Sequence, residues 1–394
     1  MTAATSGSTA AVNPITRIIF WQPVDSPHQD EFLEAVAERF SGEVVLGVER
    51  PFPPELAAQG WRAPEHRLVR VVDLSRPENR AALVAHATAD TLHVFSGYFS
   101  HPLVWAAFRA LAPSPARLAI YSEAPEQPPF TGWLKRLRAR LLASRWSDRF
   151  SFVLAIGGVG RDFFAAAGFP GEKIVPFGYY LATARQPAAA PVTGPVAGGR
   201  FRFVSAGQLI RRKGVDLLVE ACASLPDAAW QVDVYGDGPE RAALTRLAAG
   251  RELRDRMAFH GTIPTADLQR VLAAADCVVL PSRFDGWGML VSEALAAGTP
   301  AICTDRCGSA DLIRAVAPAA RPVGRVVAAA AGPLSAALAA ALAAGPPTAD
   351  QRHRCRSLAS SAGSPSAAAL VFLDAAGVAP ARVTPRPGPA FLLA

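Results

Sequence analysis

Two carboxylates, Asp285 and Glu293, stand with seven residues between them around a tryptophan flanked by glycines, Gly286-Trp287-Gly288. They belong to the stretch 275–305, ADCVVLPSRFDGWGMLVSEALAAGTPAICTD. Its apolar run Cys277–Leu280 predicts a strand that Pro281-Ser282 ends, Asp285 to Gly288 predict a loop, and Met289–Ala297 a helix closed by Gly298. Glycines on both sides of Trp287 let the main chain approach a ligand closely. The helix start at Met289 offers unpaired N–H groups and the positive end of the dipole, a combination that favours phosphate. Asp285, before the turn, can then sit near a sugar while Glu293 reaches a ribose from the helix side. An ordinary strand-turn-helix unit with solvated acids has the same local pattern, so a second set of residues is needed to decide.

That second set lies upstream. A strand over Phe201–Ser205 leads into Ala206-Gly207-Gln208-Leu209-Ile210-Arg211-Arg212-Lys213-Gly214 and then a helix over Leu217–Ser224. Three adjacent cations beside a glycine-bounded turn suit a diphosphate, because charge that develops on a leaving nucleotide needs fixed positive groups. A basic surface loop is the plainer alternative for these residues taken alone.

Taken together, Pro281-Ser282, the acid at 285, Gly286, Gly288 and Glu293-Ala294 resemble the E-x7-E signature of family 4 (group 1) retaining glycosyltransferases. Asp285 stands where that family usually has its first Glu. Lys213 matches the family's lysine, whereas Gln208 occupies its arginine position and leaves Arg211 or Arg212 to supply the second charge. Gly236-Asp237-Gly238-Pro239 matches the family's Gly-x-Gly-Pro element, and the strand and turn 257–263 lie beside the nucleotide base in the family, which brings Gly261 and Thr262 to the donor and makes His260 a pocket-wall residue. Many members carry a His after the strand that corresponds to Leu118–Tyr121, and Glu123 is the local candidate for that position. The resemblance is strong over 201–344 and loose over 17–180.

The resemblance implies an α/β protein of the GT-B type, two Rossmann-like domains facing each other across a cleft. It implies a nucleotide-sugar donor in the C-terminal half, a saccharide or lipid-linked acceptor in the N-terminal half, and retention at the anomeric carbon. No cofactor or metal is implied, since positive side chains and the helix start take the place of a divalent cation, and the chain has no Asp-x-Asp motif. Lys213, Asp285 and Glu123 are then the catalytic candidates. Gly207, Gln208, Arg211, Arg212, Gly261, Thr262, Gly286, Trp287, Gly288, Met289 and Glu293 are the donor-binding ones, and His28 and His101 face the acceptor. Two other readings stay open: a sugar phosphorylase or epimerase on the same plan, and a nucleotide-sugar-binding protein whose catalysis is impaired by Gln208, Asp285 and Glu123.

The elements that must position these residues follow from the apolar patterning. Strands are expected over 17–21, 43–48, 67–72, 91–95, 118–121 and 152–156, with helices over 31–40 and 160–167, the latter capped by Gly168. His28 falls in the loop after the first strand and His101 in the turn after the fourth, at the carboxyl ends where open α/β sheets collect ligands. The domains predicted are a leader 1–15, an N-terminal Rossmann-like unit 16–180, a Pro- and Ala-rich linker 181–199, a second Rossmann-like unit 200–345, and a C-terminal segment 346–394. The stretch 346–365 shows no clear periodicity, and a helix near 367–376 is expected to cross back to the first unit.

With 394 residues and 51% hydrophobic content, the chain can fill two cores. A net charge of +7 permits anionic surfaces and substrates, and it is too diffuse to argue for nucleic acid. Five cysteines, odd in number and set in apolar segments, read as free thiols of a reducing cytoplasm, and Cys303-x3-Cys307 lacks the second pair a zinc site needs. The N-terminus lacks the pattern of a secretory signal, and the Ala-rich window 326–345 reads as a loop and an ordinary helix. The segment 133–150 is a basic helix in which Leu134, Leu137, Leu141 and Leu142 recur near the helical period among Lys135, Arg136, Arg138, Arg140, Arg145 and Arg149. Either its leucines face the core and its cations are solvated, or it lies on an anionic bilayer and makes the protein peripheral on the inner face of the membrane.

Overall fold

A computed structural model of the protein describes residues 14–50, 63–97, 101–127, 132–180, 199–316 and 320–380, together with 52, 54 and 57. Most of the expected leader, most of the linker and the end of the tail lie outside the described residues; Ile15, assigned to the leader, is buried in the first core. In chain order the N-terminal half contains β1 (Arg17–Val24), α1 (Asp30–Arg39), β2 (Glu43–Arg50), β3 (Arg70–Asp73), α2 (Pro77–Val84), β4 (Thr91–Ser96), α3 (Pro102–Leu111), β5 (Arg117–Glu123), α4 (Gly132–Trp146), β6 (Phe150–Ile156), α5 (Gly157–Ala167) and β7 (Ile174–Phe177). The C-terminal half contains β8 (Phe201–Ala206), α6 (Val215–Cys222), β9 (Trp230–Tyr235), α7 (Arg241–Gly250), β10 (Met257–Gly261), α8 (Thr265–Ala274), β11 (Cys277–Leu280), α9 (Met289–Ala297), β12 (Ala301–Thr304), α10 (Ala310–Arg314), β13 (Gly324–Val327), α11 (Ala331–Ala344), α12 (Ala349–Ala362) and α13 (Pro365–Ala375).

Each half is a parallel sheet with helices on both faces. The first sheet runs β3-β2-β1-β4-β5-β6-β7 and the second β10-β9-β8-β11-β12-β13. Strand order reverses between β1 and β4 in one and between β8 and β11 in the other, which opens a crevice at the carboxyl ends of the strands. Parallel strands covered on both faces read as continuous apolar runs, as in Ile18 to Trp21 and Cys277 to Leu280, all nearly or fully buried.

Two departures from the sequence expectation have clear causes. The third strand starts at Arg70 and not at Arg67, because the amides of Arg67, Leu68 and Val69 donate to the Glu34 carboxylate instead of a neighbouring strand. The segment 346–365, read as aperiodic, contains α12. Thr348 caps it by accepting from the Gln351 amide. Arg352 secures it by donating to the carbonyls of Ala273 and Ala275 and to Thr299 Oγ1. These arginine hydrogen bonds add to the packing of Cys355, Leu358 and Ala359 against the core in docking α12. The last helix, α13, crosses back as expected: Phe372 is fully buried against Phe20, Phe32 and Phe152 of the first sheet and α1.

The basic helix α4 turns out differently from its core-facing reading. Its buried residues are small ones, Gly132, Ala139 and Ala143. Trp133, Leu134, Leu137 and Leu141 point outward and are 55%, 49%, 47% and 62% exposed. At 100° per residue these four fall on the face opposite the buried alanines. Arg149 lies beyond the helix and works inward, donating to the carbonyls of Ala112, Ser114 and Ala116. Among the described residues no helix is long and apolar enough to cross a membrane. All five cysteines are buried and free.

Candidate active site

The two crevices face each other and enclose a cavity of about 720 Å³ on one side of the contact and one of about 620 Å³ on the other. The smaller one gathers most of the sequence-predicted residues. The loop after β8 brings Gly207, Gln208, Arg212 and Lys213. The loop after β11 and the start of α9 bring Asp285, Trp287, Gly288, Met289 and Glu293, and the loop after β10 brings Thr262. From the N-terminal half, His28 after β1, Glu123 at the end of β5 and Tyr179 after β7 form the opposing wall.

Asp285 is nearly buried and anchors the arrangement. Its Oδ2 accepts from Lys213 Nζ at 2.6 Å, its Oδ1 lies 3.9 Å from Arg212 Nη1, and its amide donates to the Arg306 carbonyl at 3.0 Å. Arg212 in turn donates to the Phe284 carbonyl at 3.0 Å, and the Arg283 amide donates to the Arg212 carbonyl at 2.8 Å. The Lys213 turn and the Asp285 loop are therefore tied into one unit, which fixes a cation at the cleft without freezing out a mobile side chain.

Glu123 faces this unit from across the cleft. Burial raises its pKa and the Asp285 charge adds to the rise, against the hydrogen bond from Tyr179 and the charges of Arg212 and Lys213. Its carboxylate fills the space above Gly286, where any side chain would collide with it. That explains why glycine is needed at 286 and why Gly286 stands behind the cavity lining. Tyr179 is hydrogen-bonded to both Glu123 and Gln29 and stacks on His28 with ring centroids 6.2 Å apart. Burial first and Lys213 second lower the His28 pKa to about 4, so the ring is neutral at neutral pH. Glu293 projects into the cleft from α9, and burial alone pushes its pKa up to about 7. The N-terminus of α9, at Gly288, has no side-chain cap, so its first amides open into the cavity.

Trp287 joins the two halves. Its indole N–H donates to Ser292 Oγ at 3.0 Å, its ring meets Tyr179 edge to face, and it packs directly on Gly178. A methyl group at 178 would collide with the indole. Gly178→Ala should therefore loosen the contact between the halves and cost about 1–3 kcal/mol by overpacking. Thermal unfolding of the variant checks this, and an unchanged midpoint would show that the halves part freely.

Other sequence-predicted residues lie elsewhere. Arg211 lines the larger cavity and not the cleft that holds Lys213. Gly261 sits behind the lining, its carbonyl accepting from the Gly236 amide at 2.7 Å. His260 is bound to Asp233 at 2.7 Å and stacks on Tyr235 at 4.6 Å, so Tyr235 and not His260 forms the wall. His101 lies over Gly97 at the carboxyl end of β4, outside the cavity lining, and its pKa is lowered by burial. Tyr179 was missed by sequence reasoning. Its signal was available, since Tyr179 lies two residues beyond a strand whose carboxyl end faces the cleft.

Known proteins resemble this chain over part of its sequence and across its fold. Residues 193–356 match the family model described as "Glycosyl transferases group 1". A 2-deoxystreptamine glucosyltransferase of Streptomyces kanamyceticus is 35% identical over 128 residues, 32% of this chain and 32% of its own length. TuaC of Bacillus subtilis, a putative teichuronic acid biosynthesis glycosyltransferase, is 39% identical over 109 residues, 28% of this chain and 26% of its own. The matches thus span about a third or less of these curated relatives. Across whole folds, HepE of Anabaena, solved with UDP, superposes with a TM-score of 0.69 at 16% identity, covering 92% of this chain and 99% of HepE. The lipopolysaccharide outer core galactosyltransferase WaaB superposes with a TM-score of 0.66 at 14% identity over 92% of this chain and 99% of WaaB. Residues 193–356 thus resemble the glycosyl transferases group 1 family, and the chain's two facing Rossmann-like domains have the GT-B fold.

Proposed function

We propose that the protein is a retaining glycosyltransferase that moves a sugar from a nucleotide-sugar donor to an acceptor hydroxyl. The observation that carries this reading is the convergence, in one interdomain cleft, of the Lys213–Asp285 pair, the open start of α9 and the buried Glu293, with Glu123 opposite. The donor diphosphate sits against Lys213 and the first amides of α9, Glu293 accepts from the ribose hydroxyls, and the base lies toward Thr262 and Tyr235. The transferred sugar then rests between Asp285 and Glu123. As the diphosphate leaves, Lys213 and the helix start take up its charge. The Glu123 carboxylate offsets positive charge on the oxocarbenium-like carbon while the acceptor hydroxyl attacks from the departing face and gives its proton to the leaving diphosphate. NMR of the first product tests this: an anomeric configuration like that of the donor is expected, and inversion would overturn it. The UDP held by HepE supports uridine diphosphate sugars as the first donors to try.

The relatives named for teichuronic acid and lipopolysaccharide work support cell-surface polysaccharide assembly as the setting, with a saccharide or lipid-linked acceptor. Helix α4 supports a peripheral position on an anionic membrane. Its outward Trp133, Leu134, Leu137 and Leu141 are flanked by Lys135, Arg136, Arg138, Arg140 and Arg145. Cations near such a surface contribute about 1 kcal/mol each, and the apolar stripe can enter the headgroup boundary. The native protein should cosediment with vesicles containing anionic lipid at low salt and release as salt rises. The variant Leu134→Gln/Leu137→Gln/Leu141→Gln should remain in the supernatant. Equal pelleting of both proteins, or of neither, would remove the membrane from the proposal.

A further inference from the structure

We propose that the larger interdomain cavity is an anion site that holds the phosphate or diphosphate of the acceptor; the inference rests on the glycosyltransferase reading above. This cavity, of about 720 Å³, lies on the far side of Arg212 from the donor cleft. Among the described residues five arginines reach it, Arg136, Arg211, Arg212, Arg283 and Arg306, against two carboxylates, Glu126 and Asp162. Three of the five are already engaged. Arg283 is held by both oxygens of Asp216 at 2.6 Å, Arg212 by the Phe284 carbonyl, and Arg136 by Gln127 at 2.7 Å. Arg211 and Arg306 form no ion pair and no side-chain hydrogen bond among the described residues, although both stand at the contact between the two halves. Two uncompensated guanidinium groups over an apolar floor made by Phe163 and Ala139 favour an anion with several oxygens, which guanidinium groups bind in paired fashion.

Position makes the ligand an acceptor and not a stray ion. Glu123 lines the donor cleft, and the next residue, Ala124, lines this cavity; Arg212 lines both. A molecule anchored by phosphate here extends its hydroxyl-bearing part toward Glu123 and the transferred sugar. One free arginine shares a turn with a reacting group, and the other, on the loop after β12, is tied to one by a backbone hydrogen bond. Arg211 opens the turn that ends in Lys213, and the Arg306 carbonyl accepts from the Asp285 amide. Helix α4, which turns its apolar stripe outward, contributes Arg136 and Ala139 to the lining of this cavity. A phosphate carried on a lipid at the surface would therefore enter next to its membrane.

Calorimetry with inorganic pyrophosphate as the probe tests the site, with saturating UDP present so that the donor site is filled. One pyrophosphate should bind per chain, and Arg211→Gln/Arg306→Gln should weaken it at least tenfold while leaving UDP affinity within about twofold. Both side chains are solvent-facing, so the variant should fold, and unchanged UDP affinity verifies that it has. No pyrophosphate binding, or binding that the variant leaves intact, overturns the inference. If UDP itself fails to bind, the donor reading falls, while the dependence of pyrophosphate binding on the two arginines still decides this site. Phosphatidylcholine vesicles with and without an isoprenyl diphosphate separate the sources. Arginine-dependent retention on the doped vesicles assigns a lipid-borne phosphate, whereas binding of free pyrophosphate without such retention assigns a soluble one.

Discussion

Replacing Lys213 by alanine should slow sugar transfer by about 10²–10³-fold, the loss typical of a preorganised group that stabilises charge formed only in the transition state. The ammonium group is fixed by Asp285 at 2.6 Å within a loop unit tied together by backbone hydrogen bonds. It is thus in place before the diphosphate begins to leave and needs no rearrangement. Ground-state binding of the nucleoside diphosphate should fall much less, because the amides at the start of α9 remain. Rates of transfer and dissociation constants, measured side by side, check the split. Equal losses in both would make Lys213 an anchoring residue and move the catalytic charge elsewhere.

Glu293→Gln should weaken nucleotide binding by about 1.5–3 kcal/mol, the range for a hydrogen bond to a charged group. The same substitution should stabilise the unliganded protein above neutral pH. The carboxyl has its ordinary value of 4.5 in the unfolded chain and about 7 in the folded one, so the folded state holds the proton more tightly. Stability is therefore lost as pH rises from 4.5 to about 7, and the full penalty, on the order of 3 kcal/mol for 2.5 pH units, persists above that. Glutamine removes the charge and with it that penalty. Nucleotide affinity of the native protein should rise with pH through about 7, as the carboxylate becomes the better acceptor. An unchanged dissociation constant in the variant would remove Glu293 from the ribose site; a lower melting midpoint at pH 8 would contradict the burial account.

The parts of the molecule legible in sequence were those governed by local rules. Cys277–Leu280 and Met289–Ala297 occur with the bounds that the apolar run, the proline and the two glycines imply. Lys213, Asp285 and Glu293 converge because each follows or lies just beyond a strand end at the same switch point. Long-range choices were less legible. Nothing in the spacing of 133–146 reveals that α4 buries its alanines and exposes its leucines, since that depends on how closely α5 approaches. Helix α12 was missed because Arg352 helps to dock it through carbonyls contributed by α8 and the following loop, which periodicity does not register. Arg211 and Arg212 were indistinguishable as neighbours in a basic turn. The fold sends one into the larger cavity and sets the other on the wall between the two.

The most direct test is release of nucleoside diphosphate from a panel of nucleotide sugars at high enzyme concentration, with a chelator present, run beside sugar cleavage assays with and without inorganic phosphate. The account predicts slow release from at least one donor, stimulated by an acceptor and abolished by Lys213→Ala. Release from none of them, or sugar cleavage that requires inorganic phosphate and no nucleotide, would contradict it.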